Sequence, residues 1–358
     1  MPHYFSDAEL ARLKRLRQRL LAIEDRPADA PAPRYWDSAE DLALYHSTFA
    51  QRIAWKWRAV LQELRERGVA LPAGPVLDFG CGTGAAAAEW VAAAGAARVT
   101  LWDRDASARA FARAELERVA PHVEVTTPTR APEAADIAPD TTLLISHVLD
   151  ELDGPDVTRL EALARRAGLV LWVEPGSRLT SRRLSETRDR LLESHAVLAP
   201  CTHSERCGVL RLAAARHWCH HFAEAPQAVY TEGRWAEFGR ELGVDLRALP
   251  YSFCVLVART GGNAPPTVDH ADTDASGEPA AALVRLIGRA RLQRGRALLD
   301  TCDARGVREE LLLERHAKGL VKALDRRSVR LVQLSREGDR IVGAREVRPN
   351  LESADTDG

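Results

Sequence analysis

Apolar residues recur at helical spacing near the start of the chain, with Leu10, Leu13, Leu16, Leu20 and Ile23 falling on one face. Ser6, followed three positions later by Glu9, supplies a capping box for that helix. The Pro-rich stretch Pro27–Pro33 breaks it, and a second helical run covers about 42–67, with Trp55 and Trp57 among its larger side chains. Residues 1–70 therefore read as a helical region packed on the next domain. From residue 71 the pattern changes. Short apolar runs at Val76–Phe79, Arg98–Trp102, Val123–Thr126, Thr142–Ser146 and Leu169–Val173 alternate with helical segments, one of them the Ala-rich Ala85–Ala94. That alternation predicts an α/β, Rossmann-like domain with a doubly wound parallel sheet over 71–260. Tyr251–Ala258 reads as a further apolar strand. Residues 261–280, rich in Gly, Pro, Asp, Thr and Ser, form a linker. Short strands at Ala297–Leu299, Glu310–Leu313 and Val329–Leu334 then predict a small β-rich domain over 281–350.

Composition narrows the class. A chain of 358 residues, 46% apolar and 28% charged, suits two or three folded domains. The net charge of −1 hides an asymmetry, since residues 285–348 carry 17 Lys or Arg against 9 Asp or Glu. Arg285, Arg289, Arg291, Arg294 and Arg296 crowd the start of that stretch. Such a basic module suits phosphate-backbone contact, and its near lack of aromatics gives no indication of base stacking. No apolar run approaches the length needed to span a membrane, so no membrane partner is expected. The N-terminus shows no secretory apolar region, and Asp7 and Glu9 argue against a transit peptide, so the expected location is the cytoplasm. Without a secretion signal, the six cysteines read as thiols or metal ligands rather than disulfides.

The chemistry concentrates first in Val76-Leu77-Asp78-Phe79-Gly80-Cys81-Gly82-Thr83-Gly84. A buried strand breaks there into a turn whose glycines let backbone approach a ligand closely. Amides at the N-terminus of the following helix would face that ligand. Gly80, Gly82 and Ala85 also satisfy a relaxed dinucleotide fingerprint, but Asp78, two positions before the first glycine, is no part of it. The whole string resembles motif I of class I S-adenosylmethionine-dependent methyltransferases, where this acid and these glycines border the cofactor's amino-acid end. Asp103 closes the next strand, 25 residues after Asp78, where an acid can accept hydrogen bonds from both ribose hydroxyls. The cofactor-binding residues expected are thus Asp78, Gly80, Gly82, Gly84 and Asp103. At the ends of later strands lie Ser146–Leu152 and Glu174-Pro175-Gly176. His147, Asp150 or Glu151 could act as a base or orient a methyl acceptor, while Asp150 and Glu151 could equally start a helix. No acid/base pair stands out, and catalytic residues stay unassigned.

A second concentration lies between 199 and 222. Cys201, His203, Cys207, His217, Cys219, His220 and His221 place three cysteines and four histidines in 21 residues. Soft thiolates converging in loops bind zinc or iron–sulfur clusters, although this spacing is neither a zinc-finger nor a ferredoxin pattern. A fourth ligand must come from elsewhere. Cys81 is committed to the glycine turn, Cys254 reads as a core thiol, and Cys302, just before the turn Asp303-Ala304-Arg305-Gly306, is better placed.

Ala199-Pro200-Cys201, His203, Cys207 and Trp218-Cys219-His220 resemble the signature of the methyltransferase-like proteins of the mitochondrial small ribosomal subunit, a family with bacterial members. Ser146–Leu152, Val173-Glu174-Pro175-Gly176, Tyr251-Ser252-Phe253 and Leu299-Asp300-Thr301-Cys302 resemble its motifs in order, over roughly residues 40–345. The resemblance implies a class I methyltransferase fold, a role in small-subunit assembly with ribosomal RNA as partner, and four cysteines holding a [4Fe–4S] cluster. By position these are Cys201, Cys207, Cys219 and Cys302. The wide 207–219 interval leaves His217, His220 or His221 open as ligands. Two further readings stand beside a methyltransferase acting on ribosomal RNA or protein. One is a non-catalytic assembly scaffold on the same fold, and the other a small-molecule methyltransferase with structural zinc.

Overall fold

The computed structural model describes residues 3–22, 35–211, 217–259, 281–326, 328–338 and 340–347. The proline break at 27–33 and the linker at 261–280 lie outside the described residues. The chain forms two compact units, one of residues 1–61, 71–174 and 223–249, the other of residues 62–70, 175–222 and 250–358.

The first unit opens on helix α1 (Asp7–Leu21), which carries the expected Ser6–Glu9 capping box. The single helix expected over about 42–67 is two, α2 (Ala39–Ser47) and α3 (Phe49–Glu66), the last residues of α3, 62–66, being counted with the second unit. They part at Thr48, which leaves helical geometry at φ −131° and ψ −82°. Its fully buried hydroxyl donates to the Leu44 carbonyl instead of facing water. Then come β1 (Val76–Phe79), α4 (Ala85–Ala94), β2 (Arg98–Trp102), α5 (Ala106–Val119), β3 (Glu124–Thr126), β4 (Thr142–Ser146), α6 (Gly154–Ala164) and β5 (Leu169–Pro175). These strands run parallel in the order β3-β2-β1-β4-β5. The central strands are buried along nearly their whole length, which explains their continuous apolar character. Trp57, Trp90 and Trp172 fill the core without measurable exposure.

The second unit holds α7 (Arg178–Leu191), β6 (His195–Ala199), β7 (His221–Ala223) and β8 (Leu249–Ala258), with β8 antiparallel to β6. It continues into β9 (Ala282–Gln293), β10 (Arg296–Asp303), β11 (Gly306–Leu313), β12 (Leu331–Glu337) and β13 (Arg340–Glu346). These five form one antiparallel sheet in the order β11-β10-β9-β12-β13. Val284, Leu286, Leu299, Leu312, Val332 and Leu334 make its core, closed by Leu320 of the helix Lys318–Arg326. The β-rich expectation holds, but the strands are longer and more numerous. Arginines conceal the alternation in β9, whose outer half is exposed. The cysteine-rich segment, expected within the domain 71–260, falls in this second unit.

Candidate functional site

β1 delivers Asp78 to the interior with no exposure, in register with Leu101 of β2 and Leu144 of β4. Its Oδ2 accepts the Ala87 N–H at 3.1 Å, while its buried Oδ1 has no partner. Burial, with Asp103 nearby, pushes this carboxyl up to about 7. Gly80, Gly82 and Gly84 all take positive φ, at +72°, +52° and +82°. A Cβ on Gly80 would stand 2.3 Å from Val148 Cγ1, so only glycine fits. The Gly80 and Cys81 amides both donate to the Trp102 carbonyl, at 2.7 and 3.0 Å, and tie the turn to the end of β2. Asp103 follows at once. Its Oδ2 accepts the Gly82 amide at 2.9 Å and its Oδ1 the Asp105 amide at 2.9 Å, so it is fixed against the glycine turn. The five residues read from the sequence are therefore gathered in one place. An orphaned buried carboxylate oxygen suits a cationic group. A cradle without side chains suits close approach, and an acid at the end of β2 keeps lone pairs for hydroxyls. The donor set fits S-adenosylmethionine.

At the ends of β4 and β5 lies a second buried group. His147 adopts φ +57°, a conformation that costs a non-glycine residue energy, with its amide held by the Val173 carbonyl at 2.9 Å. Its Nε2 stands 3.5 Å from the Nζ of buried Lys56. Burial, then Arg52, lowers Lys56 to about 7 against an opposing pull from Glu174. Burial, Lys56 and Arg52 hold the His147 imidazole neutral, well below its ordinary range. Glu174 is fully buried, and burial pushes it up to about 8. Its Oε1 accepts the Trp172 indole at 2.7 Å and the Leu149 and Val148 amides at 3.1 and 3.3 Å, whereas buried Oε2 has no partner. Of the three residues suggested by sequence at this junction, His147 joins the group. Glu151 instead meets Arg104 at 3.5 Å. Neither Asp150 nor Glu151 starts the next helix, because Asp153 caps α6 through the Asp156 amide. Lys56 was missed by sequence reasoning. The available signal was a lone charge in Ile53-Ala54-Trp55-Lys56-Trp57.

The second unit gathers the cysteines. Burial raises the Cys219 thiol well above its ordinary range, and Cys201, Cys207 and Cys302 raise it further. Cys207, Cys219 and Cys302 pack about Val209 and Ile287, whereas Cys254 is buried in β8. Cys219 Sγ lies 3.7 Å from His221 Nε2. His217 faces Asp300 at 3.7 Å, and His220 Nδ1 meets the Trp218 carbonyl at 3.0 Å. None of the six cysteines is in a disulfide. Arginines hold the loop. Arg188 donates to the carbonyls of Glu205 at 2.7 Å and His203 at 3.0 Å. Arg67 donates to Pro200 at 2.7 Å and Cys201 at 3.2 Å. Glu63, 1% exposed, binds Arg67 at 2.7 Å and also pairs with Arg285, the ladder partner of Cys302. One buried thiol, Cys207, and three half-buried ones, Cys201, Cys219 and Cys302, set among arginines have the donor chemistry of an anionic thiolate-held metal group. Among the described residues, however, no three His, Cys, Asp or Glu side chains stand ready to hold a metal ion.

Strand order 3-2-1-4-5, a reversed strand late in the chain, and an acid–glycine turn facing an acid at the end of β2 define a class I S-adenosylmethionine methyltransferase fold. The chain belongs to the mitochondrial small ribosomal subunit Rsm22 family, whose model matches residues 40–328. No curated protein matches it in sequence. Among solved structures it is similar to a Pyrococcus horikoshii protein assigned as an RNA methyltransferase, at 10% identity and a TM-score of 0.36, covering 70% of this chain and 98% of that one. It is also similar to the magnesium protoporphyrin IX methyltransferase of Synechocystis PCC 6803 with bound S-adenosylhomocysteine. That match has 13% identity and a TM-score of 0.36, and covers 71% of this chain and 95% of that one.

Proposed function

We propose that this chain binds S-adenosylmethionine at the Asp78 turn and acts on the small ribosomal subunit during its assembly, contacting ribosomal RNA. The observation that carries the cofactor assignment is the buried, unpartnered Oδ1 of Asp78 beside three positive-φ glycines. When bound, S-adenosylmethionine supplies an electrophilic methyl group on a sulfonium. The chain's own part is positioning. Asp78 takes the cationic end, Asp103 accepts from the ribose, and Lys56, His147 and Glu174 form the polar floor for an acceptor. Lys56, held at about 7, can take a proton at Nζ near neutrality. Glu174, held at about 8, keeps its proton and can donate from Oε2. The test pairs calorimetry of S-adenosylmethionine binding with transfer of a labelled methyl group to small ribosomal subunits. Lys56→Met should keep cofactor binding and lose transfer. Wild-type protein that binds cofactor but transfers no methyl group leaves the scaffold reading.

We further propose a [4Fe–4S] cluster on Cys201, Cys207, Cys219 and Cys302, supported by the packing of Cys207, Cys219 and Cys302 in one cluster, by the influence of Cys201 on the Cys219 thiol, and by the resemblance carried by the cysteine segment. Anaerobically purified protein should contain about four irons and four acid-labile sulfides per chain. One tightly held zinc without sulfide would replace the cluster with a structural zinc site.

A further inference from the structure

The segment leading into β7 carries rings at alternate positions, Trp218, His220 and Phe222, all partly exposed. Between and after them, Cys219 packs with Cys207 and Cys302 about Val209 and Ile287, while His221 and Ala223 are buried. Period-two alternation therefore puts all three rings on one face of an extended strand. Trp218 and His220 stack with centroids 4.6 Å apart and planes 19° from parallel. Phe222 follows edge-on to His220 at 5.5 Å, and the exposed Arg289 lays its guanidinium 4.2 Å over the Phe222 ring. The row is built in rather than loosely draped. The Trp218 indole donates to the Gly176 carbonyl at 3.0 Å, and the Gly288 amide donates to the His220 carbonyl at 2.9 Å. Gly288 sits at φ +67°, where a Cβ would come within 3.0 Å of the His220 ring, so β9 lacks a side chain where that ring passes.

Around the row the charge is positive. Arg289, Arg291, Arg294 and Arg296 are all exposed on β9 and the turn into β10. Arg291 meets Asp300 at 3.1 Å and Glu309 at 2.8 Å, and Asp300 also faces His217. The arginine strand and the ring segment thus share one surface. The aromatics that the basic module lacks in its own sequence are supplied by the cysteine-rich segment.

We propose that Trp218, His220, Phe222 and Arg289 form a stacking platform for unpaired nucleotides of RNA, with the neighbouring arginines taking the phosphates. Flat π-faces accept any base, and a planar guanidinium over a ring continues the stack. The platform rests on the reading that the protein contacts ribosomal RNA, and it names the part of that RNA, single-stranded rather than helical. A duplex buries its bases and would meet only the arginines.

The test is fluorescence anisotropy of the full-length protein with a labelled single-stranded RNA dodecamer and with a duplex of the same length. Wild type should prefer the single strand. Phe222→Ala should weaken single-strand binding roughly tenfold or more and leave duplex binding nearly unchanged. Arg289→Lys, an exposed change that keeps the charge and removes the plane, should weaken the single strand in the same direction. Arg294→Ala should instead flatten the salt dependence for both RNAs. Equal single-strand binding by wild type, Phe222→Ala and Arg289→Lys overturns the platform while RNA contact stands, as does a wild-type preference for duplex. Wild-type protein that binds neither RNA overturns RNA contact and the platform together.

Discussion

Asp78 and Glu63 are both buried carboxylates, one in each compact unit, and their surroundings treat them in opposite ways. Asp78 receives one amide hydrogen bond, has an oxygen without a partner, and is pushed up to about 7. Glu63 has Arg285, Arg67 and Arg330 around it and is held down to about 2 against the cost of its burial. An acid buried with too few partners costs stability unless something external supplies the missing charge. An acid buried among several cations ties together the segments that carry them. Glu63 ties residues 62–70 to Arg285 of β9 and to Arg330 just before β12, and through Arg67 to the loop of Cys201. The first arrangement marks a ligand site, and the second a frame.

The comparison breaks most visibly at the cysteines that this frame surrounds. With the cluster proposed on these cysteines, Cys302→Ser should abolish iron and sulfide content and expose the second unit to protease, since metal binding is coupled to folding. Metal analysis with limited proteolysis measures both effects. Next is Glu63→Gln, which leaves three buried or half-buried arginines without their shared anion. Denaturant unfolding should show a loss of about 3–5 kcal/mol, the cost of breaking a buried ion pair from one side. Smaller again is Gly80→Ala, where the new methyl meets Val148 at a positive φ. It should cost roughly 1–3 kcal/mol and remove cofactor binding, read by thermal unfolding and calorimetry.

The pH response should separate the two acids more finely. Glu63 has a folded value below its unfolded one, so its stabilisation is complete above about 4.5 and lost as pH falls toward about 2. Asp78 and Glu174 have folded values above their unfolded ones. Their contribution therefore declines as pH rises from about 4 through 7 and 8. Replacing Glu63 by Gln should remove acid sensitivity, and replacing Asp78 by Asn should remove part of the decline near neutrality. Chemical denaturation across pH 2–9 checks both.

The two regions also differ in how far the sequence discloses them. The Asp78 turn is local. Its acid, glycines and strand lie within nine residues, and β1, β2 and β4 have the ends that the apolar runs predict. The Glu63 network joins residues more than two hundred positions apart, and no periodicity couples residue 63 to residue 285. Lys56 was hidden for a related reason. Helical spacing marks which residues face inward but not which charge they will meet, and His147 is 91 positions away. In β9, arginines on the exposed half mask a strand whose other half is core. Thr48 breaks what reads as one helix because its hydroxyl satisfies the preceding turn. The ring row at 218–222 was legible only as a cluster of possible metal ligands, since its role depends on Gly288 and Arg289 from another strand.

Calorimetric titration of S-adenosylmethionine at pH 6 and pH 8, with wild type and Asp78→Asn, tests the central claim most directly. A carboxylate that must be ionised to hold a cation, with its value near 7, predicts wild-type affinity rising about tenfold across that range. The Asn variant should bind more weakly and with little pH dependence. Wild-type protein without measurable affinity, or an Asn variant matching wild type at both pH values, would contradict the assignment of this turn as a methyl-donor site.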